Sequence, residues 1–480
     1  PALFCLTEAR RKIRNVLGRF DYSEFFANCE WGPGATATLV ADDATVDQKI
    51  LEPQLSVSRL ALPYAAKYLS LDTGWLSARF GIEVSGETMP LRSEFQIVDE
   101  GRFTTVPKDW KTERGIDVQP TMNIFLQKGV GRMIRRRLKR VGVDLDDQSR
   151  NQWLASIAQR VGLATIDLAQ ASDSLCFELV RYLLPQEWFA VLRDLRTPAA
   201  KVDGKIVHLE KFSAMGNGYT FELESLIFWA LCDSLRERFG LTDTLLGVYG
   251  DDIIVDNRLS GALIALFNEV GFSTNVDKTF TEGRFYESCG KHYFDGVDVT
   301  PPYQKEEVLD LPSACRLANR LYRFACRLGG GAGPDPRIHR CWAAATVAAR
   351  NFHDDANARR WIRAVERGED PDRIKPIPFP FIPSWLDDDF GLLAPGMSFQ
   401  IRNGVVRFDR LLFPPRQREG DGMALLANYL RRGVCSPRAT NGMVNPRGNM
   451  RYQHGQGLTT PLTSLLCKGW PEIWPFKPWT

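Results

Sequence analysis

Two short apolar runs, Leu245-Leu246-Gly247-Val248-Tyr249 and Asp252-Ile253-Ile254-Val255, flank the pair Gly250-Asp251, a pattern that predicts a β-hairpin. Glycine in the first turn position predicts a type II′ turn. Around this hairpin the hydrophobic spacing predicts further elements. A short buried strand covers 165–169, and Ser172-Asp173-Ser174 supplies cap-type residues for a helix to about 184, stopped by Pro185. A long helix is predicted over 220–239, a shorter one over 261–270 ended by Gly271, and then a strand over 272–280. Around the basic run 132–140, Ile134, Leu138 and Val141 share a helical face among arginines. Two stretches are punctuated instead of periodic. Residues 329–334 read as a flexible connection, and Pro376, Pro378, Pro380 and Pro383 make the segment before Trp385 extended and irregular. Trp470, Trp474 and Trp479 crowd the last eleven residues, which are expected to pack on the body or on a partner.

Length turns this pattern into a multi-part fold. A single core stops growing near roughly 250–300 residues, so a chain of 480 residues should hold several subdomains. Hydrophobic residues make up 44% and charged residues 25%, as in an ordinary globular protein. The ten cysteines include no C-x-x-C spacing, so neither a zinc site nor a disulfide framework is expected. The longest clean apolar run, 226–232, is far short of the roughly 20 residues a membrane span needs, and no basic-then-apolar signal opens the chain. Net charge is only +3, yet residues 108–140 hold ten Lys or Arg against three Asp or Glu. The positive charge is therefore concentrated in one place.

The candidate chemistry lies between 108 and 301. Asp251 and Asp252 at a turn tip raise each other's proton affinity unless a cation neutralises them. A solvated acidic turn is the plain alternative, and the apolar strands on both sides argue against it. Asp167, on a second buried strand, supplies a third carboxylate. Nucleotidyl transfer by two Mg²⁺ ions, roughly 3.5–4 Å apart, needs such a set, with Mn²⁺ as a possible substitute. Asp173, six residues on, suits an acceptor for a sugar hydroxyl; its competing role is a helix cap. Gly216 and Asn217, in Ser213-Ala214-Met215-Gly216-Asn217-Gly218-Tyr219-Thr220, allow close backbone approach to a nucleotide before a helix. Lys108, Lys111 and Arg114 fall at three-residue steps and can face a triphosphate. Arg132, Arg135, Arg136 and Arg137 can track RNA phosphates, or form a solvated basic face. Lys278 is placed to protonate a leaving pyrophosphate, although a surface lysine is the default.

This order of motifs resembles the viral RNA-dependent RNA polymerases. Four segments are closer still to the catalytic (beta) subunit of the RNA bacteriophage replicases, the Q-beta-like branch. They are Asp167-Leu168-Ala169-Gln170-Ala171-Ser172-Asp173-Ser174, the stretch from Met215 through Phe228, Tyr249-Gly250-Asp251-Asp252-Ile253-Ile254, and Glu287-Ser288-Cys289-Gly290-Lys291-His292-Tyr293. The likeness is strong over 108–301, thinner back to Gly32-Pro33-Gly34-Ala35-Thr36, and slight beyond about 322. The resemblance implies an α+β right hand of fingers, palm and thumb. On that reading residues 1–160 are mainly fingers, 161–305 the palm with a fingers insertion near 185–220, and 306–480 the thumb and C-terminal region. It implies Asp167, Asp251 and Asp252 as metal ligands, and Asp173 as the ribose-sensing residue. Lys108, Lys111 and Arg114 fall in the triphosphate motif, Lys278 on the general acid, and Lys291 in a hairpin near the primer strand. It further implies copying of an RNA template from ribonucleoside triphosphates in the bacterial host's cytoplasm. The elongation factors Tu and Ts and a small-subunit ribosomal protein are the implied partners, with no membrane. One position departs from the wider pattern: Glu224 stands where many relatives carry Asn, and Asn217 is the substitute candidate for sugar recognition. A reverse transcriptase and a non-catalytic RNA-binding protein are the competing readings.

Overall fold

Antiparallel pairing brings the separated aspartates together. In the computed structural model the described residues are 2–40, 44–80, 91–108, 111–304, 306–330, 333–384, 389, 391–395, 397–399, 401–402, 405–412, 426 and 453–459. Gly331, Ala332, Trp385 and the three C-terminal tryptophans lie outside them. The chain divides into two compact units, the first carried by Pro1–Val297 and the second by Asp298–Arg416 together with the strand at 453–459.

In the first unit, α1 (Ala2–Leu17) and α2 (Tyr22–Asn28) precede a β-hairpin, β1 (Glu100–Pro107) and β2 (Glu113–Val118). The long helix α3 (Thr121–Arg140) and α4 (Ser149–Val161) lead into β3 (Leu163–Ala169). Helices α5 (Phe177–Leu183) and α6 (Gln186–Leu195) come next, then a second hairpin, β4 (Ala199–Val202) and β5 (Lys205–His208). Helix α7 (Thr220–Arg238) feeds β6 (Gly247–Tyr249) and β7 (Asp252–Asp256), followed by α8 (Asn257–Glu269) and the two-residue β8 (Ser273–Thr274). A last hairpin joins β9 (Phe285–Ser288) to β10 (Lys291–Phe294).

The central sheet runs β8-β3-β7-β6, all antiparallel. A second four-stranded sheet runs β2-β1-β4-β5, so residues 199–208 pair with a strand about a hundred positions upstream. Strand alternation sorts the central sheet's side chains. Ala164, Ile166, Leu168, Ile253 and Val255 enter the main core with α7 and α8. Leu163 and Ile254 point the other way, onto Leu154, Ala155 and Ala158 of α4 and onto Tyr286. Helices segregated around mainly antiparallel sheets make this an α+β fold.

The second unit pairs α9 (Leu311–Leu328) with α10 (His339–Glu366) through Ala314, Cys315, Ala318, Ala345 and Ala349. Strands β11 (Phe381–Pro383) and β12 (Leu392–Ala394) pair in parallel, and β13 (Val405–Leu412) pairs antiparallel with β14 (Gln453–Thr459).

Three expectations need correction. Helix α8 begins at Asn257, not 261, because the Asp256 carboxylate caps it by accepting from the Arg258 N–H. The strand expected over 272–280 stops after Thr274, since Asn275 turns its N–H and its side chain onto Asp167. Helix α5 starts only at Phe177, so Asp173 is no helix cap but part of a preceding 3₁₀ turn.

Candidate active site

Asp167 and Asp252 are directly paired across β3 and β7, which brings opposed Cβ atoms to roughly 4.5–5.5 Å on one face of the sheet. Asp251 sits between β6 and β7 in the turn. Gly250 has φ +60 while Asp251 stays out of the left-handed region, as a type II′ turn requires. The glycine is required on packing grounds too, because a Cβ there would stand 2.5 Å from the Phe221 ring. Its N–H donates to Ser225 Oγ at 3.0 Å, tying the hairpin tip to α7.

Burial raises the proton affinity of all three carboxylates. For Asp252 burial and the nearby charges of Asp251 and Asp167 push the pKa up to about 6, against the opposing N–H of Cys289. Asp167 is raised by burial and by Asp251. Asp251 is raised by burial, with Arg114, Lys278 and Lys108 pulling the other way. Among the described residues no three or more such groups already converge as a metal cage. Mutual repulsion favours that spread, and Mg²⁺ draws much of its shell from water and substrate phosphates. An all-oxygen donor set made costly by like charge fits a hard divalent cation.

The surroundings hold this set in place. Asn275 donates to Asp167 Oδ2 at 2.8 Å. The Cys289 N–H and Ser288 Oγ donate to Asp252 Oδ1 at 3.0 and 3.3 Å. Cys289 and Gly290 both have positive φ, so the β9–β10 turn bends tightly against Asp252, with Lys291 opposite Ser288. Lys278 lies 3.2 Å from Glu287. Burial alone would lower its pKa, but Glu287, Asp167 and Asp252 outweigh it and hold the ammonium protonated. Lys108, Lys111 and Arg114 are exposed at the β1–β2 hairpin, and the fields of Lys108 and Arg114 reach Asp251.

The Gly-rich loop is a tightly built object. Gly216 has φ +118, and the Met215 carbonyl accepts from the Asp117 N–H of β2 at 2.9 Å. Asn217 spends its Oδ1 on the Ala214 N–H at 2.9 Å, so that oxygen serves the loop and not a sugar. Asp173 pairs with Lys211 at 2.6 Å. Asp117, buried beneath the loop, has its pKa pushed up to about 6 by burial. Glu224, 4% exposed, accepts from Ser172 Oγ at 2.8 Å, and burial with the charges of Asp251, Glu222 and Asp173 pushes its pKa up to about 8. At neutral pH it is therefore largely a neutral acid with a proton to donate to a hydroxyl. Its native pKa exceeds the unfolded value, so stability falls as pH rises from about 4.5 toward about 8. Glu224→Gln lacks that titration. In metal-free urea unfolding, wild type should lose a few kcal/mol relative to the Gln variant across this window; parallel pH profiles would refute the assignment.

The arginines of α3 do not act alike. Arg137 is 8% exposed; it donates to the Leu17 and Met133 carbonyls and to both Glu24 oxygens, and lies over the Trp188 ring. It belongs to the core, which corrects its expected role in RNA contact. Arg135 is mostly committed to Glu222, Asp146 and the Leu145 carbonyl. Arg132 and Arg136 remain half exposed, beside Glu30 and beside Asn28 and Glu24. They line a cavity of about 600 Å³ whose acids, Glu30, Asp146 and Glu222, already balance much of the charge. Arg137→Ala should cost about 2–4 kcal/mol of stability by removing the close partner of Glu24, which keeps only Arg136 at 3.8 Å, and the donor to the Leu17 carbonyl, and leave the salt dependence of RNA binding unchanged. Arg136→Ala should do the reverse, flattening the salt slope by about 0.7. Urea unfolding and salt-titrated RNA binding on both variants check this.

Sequence reasoning missed Lys211, Asn275 and Glu287 as partners of the site. Lys211 carries no spacing signal; Glu287 opens the segment Glu287-Ser288-Cys289-Gly290-Lys291, and Asn275 stands just ahead of Val276-Asp277-Lys278.

The family described as RNA replicase, beta-chain matches residues 3–360, beyond position 322 where the likeness was expected to fade. The chain is 42% identical over 338 residues to the RNA-directed RNA polymerase subunit beta of Escherichia virus Qbeta, covering 70% of this chain and 54% of that protein. It is 41% identical over 337 residues to the beta chain of Enterobacteria phage fr, covering 70% and 59%. The beta chain of Escherichia phage MS2 is 40% identical, with the same coverage of each chain. The chain thus spans between about half and three-fifths of the length of these relatives. Among solved structures, the BmCPV RNA-dependent RNA polymerase at elongation state aligns at a TM-score of 0.43 and 10% identity, over 72% of this chain and 33% of that one, too weak a likeness to bear on this fold.

Proposed function

Since the chain belongs to the RNA replicase beta-chain family, we propose that it carries out RNA-directed RNA synthesis from ribonucleoside triphosphates, replicating a single-stranded RNA phage genome. The observation that carries this reading is the direct pairing of Asp167 with Asp252, beside Asp251 at the hairpin tip. These three carboxylates would hold two divalent cations, Mg²⁺ or Mn²⁺, which when bound stabilise the attacking 3′-hydroxyl and the leaving triphosphate oxygens.

The chain's own groups divide the remaining work. Lys108, Lys111 and Arg114 offset the charge of the triphosphate. Lys278, kept protonated by its acidic neighbours, holds a proton for the departing pyrophosphate. Asp173, released from Lys211, accepts a hydrogen bond from the 2′-hydroxyl, and Glu224 supports that turn through Ser172. The backbone at Gly216, fixed against β2, forms the wall on which the nascent base pair rests, with Asn217 bracing the loop. Arg132 and Arg136 face the RNA backbone, with Lys291 in the hairpin beside Asp252. In the terms of a right hand, residues 1–160 supply mainly fingers, 161–305 the palm and 306–480 the thumb and C-terminal region. No described helix is long and apolar enough to cross a membrane; the host cytoplasm is the proposed place of work. The host elongation factors Tu and Ts and a small-subunit ribosomal protein are the proposed partners.

Incubating the purified chain with a defined RNA and Mg²⁺, with and without those factors, tests the reading. Template-dependent ribonucleotide incorporation is expected. A clear preference for deoxynucleotides would make it a reverse transcriptase instead, and RNA binding without pyrophosphate release under all conditions would leave only an RNA-binding protein.

A further inference from the structure

The second unit carries a cationic groove that the polymerisation site does not use. Helices α9 and α10 are antiparallel: Tyr322 meets Trp342 near their connection, and the start of α9 lies beside Phe352. With 28 residues against 18, α10 runs on past the start of α9. The stripe that carries Phe352 changes character there. Positions 352 and 356 are Phe and Ala, whereas 359, 360, 363 and 367 are all Arg. With Leu309 and Leu311 as the facing wall, these residues line a cavity of about 390 Å³.

The helix macrodipole favours a cation or two in the last turn. That accounts for Arg363 and Arg367 but not for Arg359 and Arg360, up to two turns earlier. The arginines are exposed and loosely held. Arg359 is 3.9 Å from Asp355, with both side chains about 70% exposed. Arg367 pairs with the exposed Glu369, and Arg360 donates to the Lys375 carbonyl. Among the described residues Arg363 has no ion-pair partner. Exposed pairs of this kind are worth little and yield readily to a stronger anion. The acid on the cavity wall, Asp310, is spent on capping its own helix through Ser313.

We propose that this groove grips the phosphodiester backbone of a single RNA strand, template or product, with Arg359, Arg363 and Arg367 spaced to meet successive phosphates. Four residues of helix advance about 6 Å, close to the step between phosphates along an RNA strand. The planar guanidinium fork suits phosphate oxygens. Phe352 and the rim residue Leu309, 72% exposed, offer the bases an apolar surface. An acidic peptide would meet the same charge but has no regular anionic spacing to match. The proposal rests on the RNA-synthesis reading for the identity of its ligand.

The test is binding of labelled oligouridine to the full chain across a salt series, for wild type and for Arg359→Ala/Arg363→Ala. Two lost contacts on a single strand should flatten the slope of log K against log salt by about 1.4 and weaken binding roughly 25-fold near 0.1 M salt. Arg359→Lys/Arg363→Lys should restore most of the slope, since a point charge still neutralises a phosphate. An unchanged urea midpoint shows that the Ala variant is folded. An unchanged slope in that variant, beside a steep wild-type slope, would overturn the proposal. So would arginine-dependent binding of polyglutamate without arginine-dependent binding of oligouridine. RNA binding without synthesis would instead sink the polymerase reading and leave this one to be decided by the slope.

Discussion

Replacing Asp252 with Asn is expected to slow nucleotide incorporation by about three orders of magnitude or more while the chain stays folded. Asn keeps the shape of the side chain, and its carbonyl oxygen can still accept from the Cys289 N–H and Ser288 Oγ. The β3–β7 ladder at Asp167 needs only backbone groups. What disappears is one of the three charges that would hold the cations. Losing about 4 kcal/mol of charge stabilisation at the reacting phosphate gives a factor of roughly 10³. The stability change should run the other way. The native pKa of Asp252, about 6, lies above its unfolded value, so the metal-free protein loses stability as pH rises from about 4 to about 6. Asn has no such loss and should leave the metal-free chain at least as stable at pH 7. Single-turnover incorporation and urea unfolding, each measured with and without Mg²⁺, check the pair of outcomes. Incorporation within tenfold of wild type would remove Asp252 from the chemistry.

The same site shows which parts of the fold were legible in the sequence. The hairpin, the Asp167 strand and the α7 helix follow from local alternation, apolar periodicity and a turn glycine. The opposition of Asp167 and Asp252 is a long-range register, and no spacing along the chain encodes it. The strand expected over 272–280 failed for a related reason: its β-rich composition was outweighed by the bonds that Asn275 makes to Asp167. Arg137 was legible and misread. It lies four residues after Met133 and three after Ile134, both fully buried, so helical geometry already put it on the inner stripe. Chemistry alone made it look like its neighbours Arg135 and Arg136. In the second unit the middle of the α9–α10 contact is built from alanines and a cysteine, small residues that close packing needs and that no functional motif flags.

Gly216→Ala is expected to lower kcat/KM for nucleotides at least about 100-fold and to cost about 2–4 kcal/mol of stability. Two independent features make the position intolerant. Its φ of +118 lies where a side chain is strained whatever the space. A Cβ would also stand 2.3 Å from the Asp117 carbonyl oxygen and 2.9 Å from Ile116 Cγ2. The first of these is backbone, in the strand that carries Arg114 toward Asp251, so it cannot swing aside as a flexible side chain would. Either β2 bends or the loop retreats and breaks the bond between the Asp117 N–H and the Met215 carbonyl. Both outcomes shift nucleotide-facing groups by a distance on the order of 1 Å, enough for a hundredfold loss. Gly218→Ala is the informative contrast. Its Cβ would meet, nearest, Lys128 Cγ, Gln127 Cβ and Ile124 Cδ1 at 3.0–3.1 Å, with no positive φ. These contacts are only a few tenths of an ångström tight, against 2.3 Å to a backbone oxygen at 216, so the effect should stay within about tenfold. Steady-state kinetics on the two variants separate the explanations: equal losses would mean that the loop needs only glycine's flexibility, whereas a large loss at 216 alone identifies the close backbone approach to β2 as the feature that positions the nucleotide.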